Sequence, residues 1–394
     1  MKKALLVTTV SGFIPQFEMN NVKLLQQMGY EVHYASNYNT PSYGKDNHRL
    51  DGTGIIRHQI DFVRSPYSLK NYIVYRQLKI LMEKEKFQLI HCHTPMGGVM
   101  ARLAAHATGT SSVIYTAHGF HFYKGAPFIN WLCYYPIEKW LSRYTDQLLC
   151  INQEDYARAK GFHAKYVDYV PGVGIDLERV KRVSGIDIEQ KKAELGIAPG
   201  QRVLLSAGEL IKRKNHESII RAIAQISDNS LVYLICGHGE LKLYLDELVK
   251  KLGVETKVIF AGYRSDIFEI YQMADLYVFP SYQEGLPMAL LEAMASGLPA
   301  VCSDIRGSRD LMKKNIDVNE GKTWQWCDGG ILVKKADDVD AYEKAITTLL
   351  EDPQKLNECG KNNIRRAEDY SIQYVEAQMS LIYERCAEKS NKKF

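Results

Sequence analysis

The chain has 394 residues, 46% hydrophobic and 24% charged, which suits two cores better than one. A formal net charge of +4 is too small a field for a nucleic-acid partner. The eight cysteines (Cys92, Cys133, Cys150, Cys236, Cys302, Cys327, Cys359 and Cys386) are scattered and never form Cys-x-x-Cys. That excludes a disulfide frame or thiolate zinc site and points to a reducing, cytoplasmic setting. No apolar run approaches the ~20 residues that span a bilayer.

MKKALLVTTV opens with two lysines and an apolar run, as a secretory signal does. It passes into SGFIPQFE without a small-residue cleavage pattern, so it reads as a first buried strand. The β-branched runs YEVHYAS, LIHCHTP, SSVIYTAHG and QLLCIN read as further strands, with FEMNNVKLLQQMG as an amphipathic helix between the first two. Residues 64–87, RSPYSLKNYIVYRQLKILMEKEKF, put basic residues on a partly apolar helix. Residues 123–144, YKGAPFINWLCYYPIEKWLSRY, are dense in aromatics with lysine and arginine between them. Pro171, Gly172 and Gly174 interrupt the pattern within VPGVGIDLERV.

A second series follows: strands RVLLSAG, LVYLICGHG, VIFAGY, LYVFPS and AVCSDIRG, with HESIIRAIAQIS as a helix among them. YSIQYVEAQMSLIYERCAE closes the chain as a helix with one apolar face. Two strand–helix series predict two doubly wound Rossmann-like α/β domains facing a cleft. The first covers 1–178 plus the terminal helix at about 371–394, and the second covers 179–370. In such sheets ligands sit beyond the carboxyl ends of the strands. Gly12, Gly119, Gly208, Gly237, Gly239, Gly262 and Gly285 all follow predicted strands.

The densest signal is SYQEGLPMALLEAMASGLPA, residues 281–300. Glu284 falls in the loop after a buried strand, Pro287 at the first helical position, Glu292 in the second turn, and Gly297 at the helix end. The amides of Gly285, Leu286 and Met288 make a helix N-terminus suited to phosphate. A carboxylate on each side can accept from hydroxyls. Phosphate flanked by hydroxyl-bearing rings describes a nucleotide sugar. Two further motifs carry less. Asp338-Val339-Asp340 reads as the acidic first turn of a surface helix rather than a metal motif. His91-Cys92-His93 has metal-like alternation but reads as a strand end on the acceptor side of the cleft.

PSYQEGLPMALLEAMASGLPAVCSDIRG, with its Glu-x7-Glu frame, resembles the family 4 retaining glycosyltransferases of the GT-B fold. SAGELIKRKNHESII, CGHGELKLYL and FAGYRSDIFEIYQMADLYVFPS fit that family in order and spacing, so the likeness covers nearly the whole chain. The first half, with IHCHTPMGGVMARLAA and YTAHGFHF, is most similar to members that build exopolysaccharide, capsule or O-antigen units. The resemblance implies a catalytic set of Glu284, His118 and Lys214. Glu284 would face the donor sugar, Glu292 the ribose, and Lys214 the diphosphate. His118 would lie near the sugar from the first domain. Gly12, Gly208, Gly285, Leu286 and Pro287 would line the phosphates, and Tyr263 and Arg264 the base. Many members carry an arginine after the glycine matched by Gly208. Here that position is Glu209, and Arg213 is the nearby cation that would replace it. His91, His93 and His121 are expected on the acceptor side.

The implied function is metal-independent, retaining transfer of a hexose or N-acetylhexosamine in surface polysaccharide biosynthesis. The donor would be a nucleotide sugar, UDP-linked as in similar polysaccharide enzymes, and the acceptor a lipid-linked glycan. No cofactor is expected. The departing phosphate would deprotonate the acceptor on the front face; a covalent intermediate on Glu284 is the alternative. Rival readings are a GDP-mannose-dependent mannosyltransferase, a GT-B nucleotide-sugar epimerase, which lacks the Glu-x7-Glu frame, and a non-catalytic nucleotide-sugar binder. Glycogen-type or sucrose-type synthases are longer. Residues 64–87 and 123–144 suggest peripheral contact with the inner face of the cell membrane.

Overall fold

The strand–helix alternation resolves into two separate sheets in a computed structural model, which describes residues 2–42, 47–110, 112–183, 185–312, 316–317 and 323–391. One compact unit comprises Met1–Gly174 with Ile372–Phe394, the other Ile175–Ser371. Residues 175–178, read from sequence as the end of the first domain, belong to the second unit. There Ile175 N–H donates to the Tyr370 carbonyl at 2.8 Å.

The first unit is built on seven parallel strands: β1 (Lys2–Val10), β2 (Tyr30–Asn37), β3 (Ile56–Gln59), β4 (Leu89–Cys92), β5 (Val113–Ala117), β6 (Gln147–Cys150) and β7 (Tyr166–Tyr169). Their order is β3-β2-β1-β4-β5-β6-β7, so the winding reverses between β1 and β4. β1 is buried from Ala4 to Val10, as a central strand covered on both faces must be. Leu5, Val7 and Cys92 face one layer, made by helices Lys70–Glu85, Pro95–Thr108 and Phe128–Leu141. Ala4, Leu6 and Tyr34 face the other, where helix Met19–Gln27 meets the terminal helix Ile372–Asn391.

The terminal helix packs on this first sheet, as expected. Val375, Met379, Ile382, Tyr383 and Cys386 form its buried stripe at helical spacing. Polar bonds fix its register: Tyr383 Oη lies 2.8 Å from His91 Nδ1, and Ser112 Oγ donates to the Cys386 carbonyl at 3.0 Å.

A buried ion pair sets the pose of Phe128–Leu141. Arg102 donates to Glu138 at 2.8 Å and to the Gly98 carbonyl at 2.9 Å, with its guanidinium 4.0 Å from the Tyr115 ring centre. Such a pair adds little net stability but fixes orientation, because either charge alone in the core would be costly. Trp131, Tyr134 and Tyr135 pack against the core, while Phe128, Ile129, Leu132, Ile137 and Trp140 stay exposed.

The second unit holds β8 (Arg202–Ala207), β9 (Leu231–Cys236), β10 (Val258–Gly262), β11 (Leu276–Phe279), β12 (Ala300–Ser303), β13 (Ile316–Asp317), β14 (Trp324–Cys327) and β15 (Gly330–Val333). The order is β10-β9-β8-β11-β12-β15-β14-β13, parallel except for β14, which runs antiparallel to both its neighbours, and the winding reverses between β8 and β11. Asp338 caps helix Val339–Leu350 by accepting from Ala341 N–H, with Asp340 in the first turn, so the Asp-x-Asp is a helix start. The eight cysteines are thiols, and seven are buried.

Candidate active site

Sequence-predicted residues assemble at the carboxyl end of each sheet, beside the point where its winding reverses. In the second unit these are Gly208 after β8 and Glu284 after β11. The Lys212–Lys214 turn is latched to the loop after β11: Tyr282 N–H donates to the Arg213 carbonyl at 2.9 Å, and Asn215 Nδ2 donates to the Pro280 carbonyl at 3.1 Å. Asn215 sits at φ +55, a conformation that a short polar side chain with local hydrogen bonds can sustain. Lys214 lies across Gly208, where an added Cβ would stand 3.3 Å from Lys214 Cε, and 5.1 Å from the Phe279 ring centre. Its ammonium is 2.8 Å from Glu284 Oε1, and Arg213 pairs with the same oxygen. Glu209, at the position of the family arginine, is exposed.

Helix Met288–Ala295 begins one residue later than expected, with the buried Pro287 as its N-cap at ψ 98. Leu291 N–H to the Pro287 carbonyl, 3.1 Å, is the first helical bond. The amides of Met288, Ala289 and Leu290 therefore have no acceptor within the helix. Glu292 falls in the second turn as predicted. Burial pushes its carboxyl up to about 6, against the opposing pull of Tyr271, whose hydroxyl donates at 3.3 Å, and of the Arg179 charge.

Sequence reading missed what supports this loop from below. The Arg306 side chain donates to the Glu284 carbonyl at 3.2 Å. A Cβ on Gly307 would stand 2.7 Å from the Gly285 carbonyl oxygen and from Pro287 Cδ, so only glycine lets the two segments approach. The run AVCSDIRG, read as a strand, ends at Ser303 and yields Arg306–Met312 as a helix. Tyr263 and Arg264 stand apart from this cluster, after β10 at the sheet edge. Tyr263 is 75% exposed, and Arg264 is engaged by Asp266 at 2.8 Å and Glu194 at 2.6 Å.

In the first unit, Gly12 follows β1, where an added Cβ would overlap the Ser42 carbonyl oxygen. His118 and His93 meet as a pair, with His118 Nε2 3.1 Å from His93 Nδ1. The third member, Glu18, was not legible: it sits inside FEMNNVKLLQQMG and reads as one polar residue of a helix. Its Oε1 is 3.5 Å from His93 Nδ1 and 3.8 Å from His118 Nε2. Burial raises the Glu18 carboxyl to about 7, opposed by the Asn21 amide donating at 2.6 Å. Burial also lowers His118 to about 4 and His93 well below its usual range. Both imidazoles are therefore neutral at pH 7. Among the described residues, these three are the cluster whose ligating atoms converge closely enough for a cation, all within 4.8 Å.

Of the histidines expected on the acceptor side, His91 and His93 are buried and His121 is half-buried. His91 is fully buried, with Tyr383 on Nδ1 and Thr116 on Nε2, each at 2.8 Å. It pins the terminal helix and presents nothing to a substrate. His93 is equally buried, its Nδ1 against His118 Nε2. His121 is half-buried against the Tyr134 ring, 4.8 Å between centres, and its carbonyl accepts from Asn130.

The buried Glu18 carboxyl couples stability to pH. Its folded value of about 7 exceeds the ordinary 4.5, so folding binds extra proton and the stability this confers is lost as pH rises from about 4.5 through 7. Glu18→Gln keeps an acceptor for Asn21 and removes the charge. In urea titrations the variant is expected to match wild type below pH 4.5 and to be more stable at pH 8, by up to about 3 kcal/mol. Equal stability at pH 8 would contradict the buried-carboxyl assignment.

The model for glycosyl transferases group 1 matches residues 187–366, and that for glycosyl transferase 4-like proteins matches residues 3–152. EpsD of Bacillus subtilis (strain 168), a glycosyltransferase by assignment, is 37% identical over 97% of this chain and 96% of its own. The UDP-Gal:alpha-D-GlcNAc-diphosphoundecaprenol alpha-1,3-galactosyltransferase of Escherichia coli is 30% identical over 72% of this chain and 71% of its own. The fold matches HepE of Anabaena, solved with UDP, at a TM-score of 0.75 and 18% identity, over 98% of this chain and 100% of that one. The fold is thus GT-B, and the chain belongs to the group 1, family 4-like glycosyltransferases.

Proposed function

We propose that this glycosyltransferase moves a hexose or N-acetylhexosamine from a UDP-sugar to a lipid-diphosphate-linked or glycan acceptor in surface polysaccharide assembly, with retention and without a metal. The observation that carries the reading is Glu284, clasped by Lys214 and Arg213 at the start of a helix that bears Glu292 in its second turn. A diphosphate placed there draws Lys214 and Arg213 onto its oxygens and releases Glu284 to the sugar hydroxyls. The first-turn amides complete the anion site, and Glu292 accepts from the ribose. These two cations and the helix terminus offset the charge that grows on the leaving nucleotide, the role a metal would otherwise take. Arg213 stands in for the family arginine replaced by Glu209.

The Escherichia coli relative supports the donor, acceptor and stereochemistry together. Its name specifies UDP-Gal, a diphosphoundecaprenol-linked acceptor and an alpha product. UDP-galactose is itself alpha-linked, so that product means retention. No carboxylate nucleophile is needed if the departing phosphate takes the acceptor proton; a covalent intermediate on Glu284 is the alternative.

UDP is expected to raise the melting temperature, with little effect from GDP at equal concentration. A shift with GDP alone would redirect the reading to a mannosyltransferase. Glu292→Gln should weaken UDP-sugar binding roughly tenfold or more, since a hydrogen bond to a charged acceptor contributes ~1.5–3 kcal/mol. Wild-type affinity should fall as pH drops through about 6, because a protonated Glu292 no longer accepts from both ribose hydroxyls. A UDP-sugar is the right probe because its diphosphate does not titrate there. A pH profile unchanged by Glu292→Gln would contradict the ribose assignment.

The setting is read as the cytoplasmic face of a membrane, with peripheral contact. No helix among the described residues is long and apolar enough to cross one. Phe128, 79% exposed, with Ile129, Leu132, Ile137 and Trp140, gives helix Phe128–Leu141 an apolar outer face, bordered by Lys139 and Arg143. Sedimentation with vesicles containing anionic lipid should retain the wild type at low salt and lose Phe128→Ser/Leu132→Ser. Equal retention of both would remove this helix from the contact.

A further inference from the structure

His91 and His93 are buried and offer an acceptor no contact. A cavity of ≈ 630 Å³ opens at the carboxyl ends of β1 and β2 and in the segment after β3. Resting on the glycosyltransferase reading above, we infer that this cavity takes the diphosphate and first sugar of a lipid-linked acceptor. Arg64 and Lys70 hold the diphosphate, and the run from Tyr67 to Ile73 receives the start of the lipid.

The volume suits a sugar diphosphate. The charge balance among the lining residues is cationic: Arg64 and Lys70 against Asp61. Asp61 is already satisfied by hydrogen bonds from Gln59 at 2.9 Å and Gln77 at 2.8 Å, which hold its carboxyl below the usual range. Arg64 is oriented by Ser42, to whose Oγ it donates at 2.8 Å, and its remaining N–H groups can form the paired bonds that phosphate oxygens favour. Asn37 is spent on the wall, donating to the Phe62 carbonyl at 2.9 Å. Thr40 and Ser42 supply hydroxyls for a sugar.

The second observation is what adjoins the cations. Tyr67 is 83% exposed and Leu69 93%, and Tyr72 and Ile73 are exposed beside them. Ile73 and Lys70 line the cavity from the first turn of helix Lys70–Glu85. An anion site continuous with an uncovered apolar strip matches an isoprenoid diphosphate. A free oligosaccharide would make no use of the strip.

The test uses the full-length protein, a citronellyl diphosphate carrying N-acetylglucosamine, and inorganic pyrophosphate. For Arg64→Gln/Lys70→Gln, the UDP melting shift should be unchanged while affinity for both probes falls, roughly tenfold for each cation removed. Leu69→Ser/Ile73→Ser should weaken the citronellyl probe and leave pyrophosphate unaffected. If the Arg64/Lys70 variant binds the citronellyl probe as wild type does, with the UDP shift intact, the cavity is not the acceptor subsite and the donor assignment still stands. Weakening of pyrophosphate alone would mean an anion site unconnected with the acceptor. A wild type that shows no UDP shift overturns the donor reading beneath the proposal as well.

Discussion

The pairing of one carboxylate with two cations shapes the binding rim of the second unit. Glu284 engages Lys214 from the side of Gly208 and Arg213 from the turn beside it. Asn215, Arg306 and Gly307 hold the backbone of the two loops so that those charges meet. Partly buried ion pairs are oriented more than they are stabilising. Here that orientation places two positive charges on one carboxylate oxygen, four residues before the helix Met288–Ala295 whose first amides are uncapped. On the reading proposed above, the ligand is an anion with two charges and several oxygens, whose binding exchanges one set of charge-assisted bonds for another.

The first unit solves a different problem. Its central residues are neutral because burial keeps them so. Desolvation lowers His93 well below its usual range and the half-buried His118 to about 4, and Glu18 holds its proton up to about 7. Thr94, at φ +62, bonds Thr9 through its hydroxyl and sits just before helix Pro95–Thr108, so strained backbone accompanies the same strand ends. The outer surface carries the remaining chemistry: an apolar strip with cations on helix Lys70–Glu85 and a second apolar face on Phe128–Leu141, whose pose the Arg102–Glu138 pair fixes from within.

Much of this architecture was legible in the chain. Buried β-branched runs separated by helical patterns require parallel sheets, and both sheets formed where the runs lie. Glu284, Pro287 and Glu292 were readable because a strand end, a helix start and their spacing are local properties. Asp338 and Asp340 were likewise readable as a helix start. Residues whose role depends on distant partners were not. Nothing near His91 announces Tyr383, 292 residues away in sequence. Glu18 looks like any polar position of a helix until β4 and β5 bring His93 and His118 against it. Ile56–Gln59 is an edge strand whose four residues are all polar or exposed, and half of Tyr166–Tyr169 is polar or exposed, so neither gave a clean apolar run; the β14–β15 hairpin breaks the parallel pattern.

The most direct test of the account is a crystal structure of the protein with UDP. The account predicts the diphosphate against the amides at the start of Met288–Ala295 with Lys214 and Arg213 turned onto it, and both ribose hydroxyls donating to Glu292. UDP bound elsewhere, with Glu284 still clasping both cations, would contradict it.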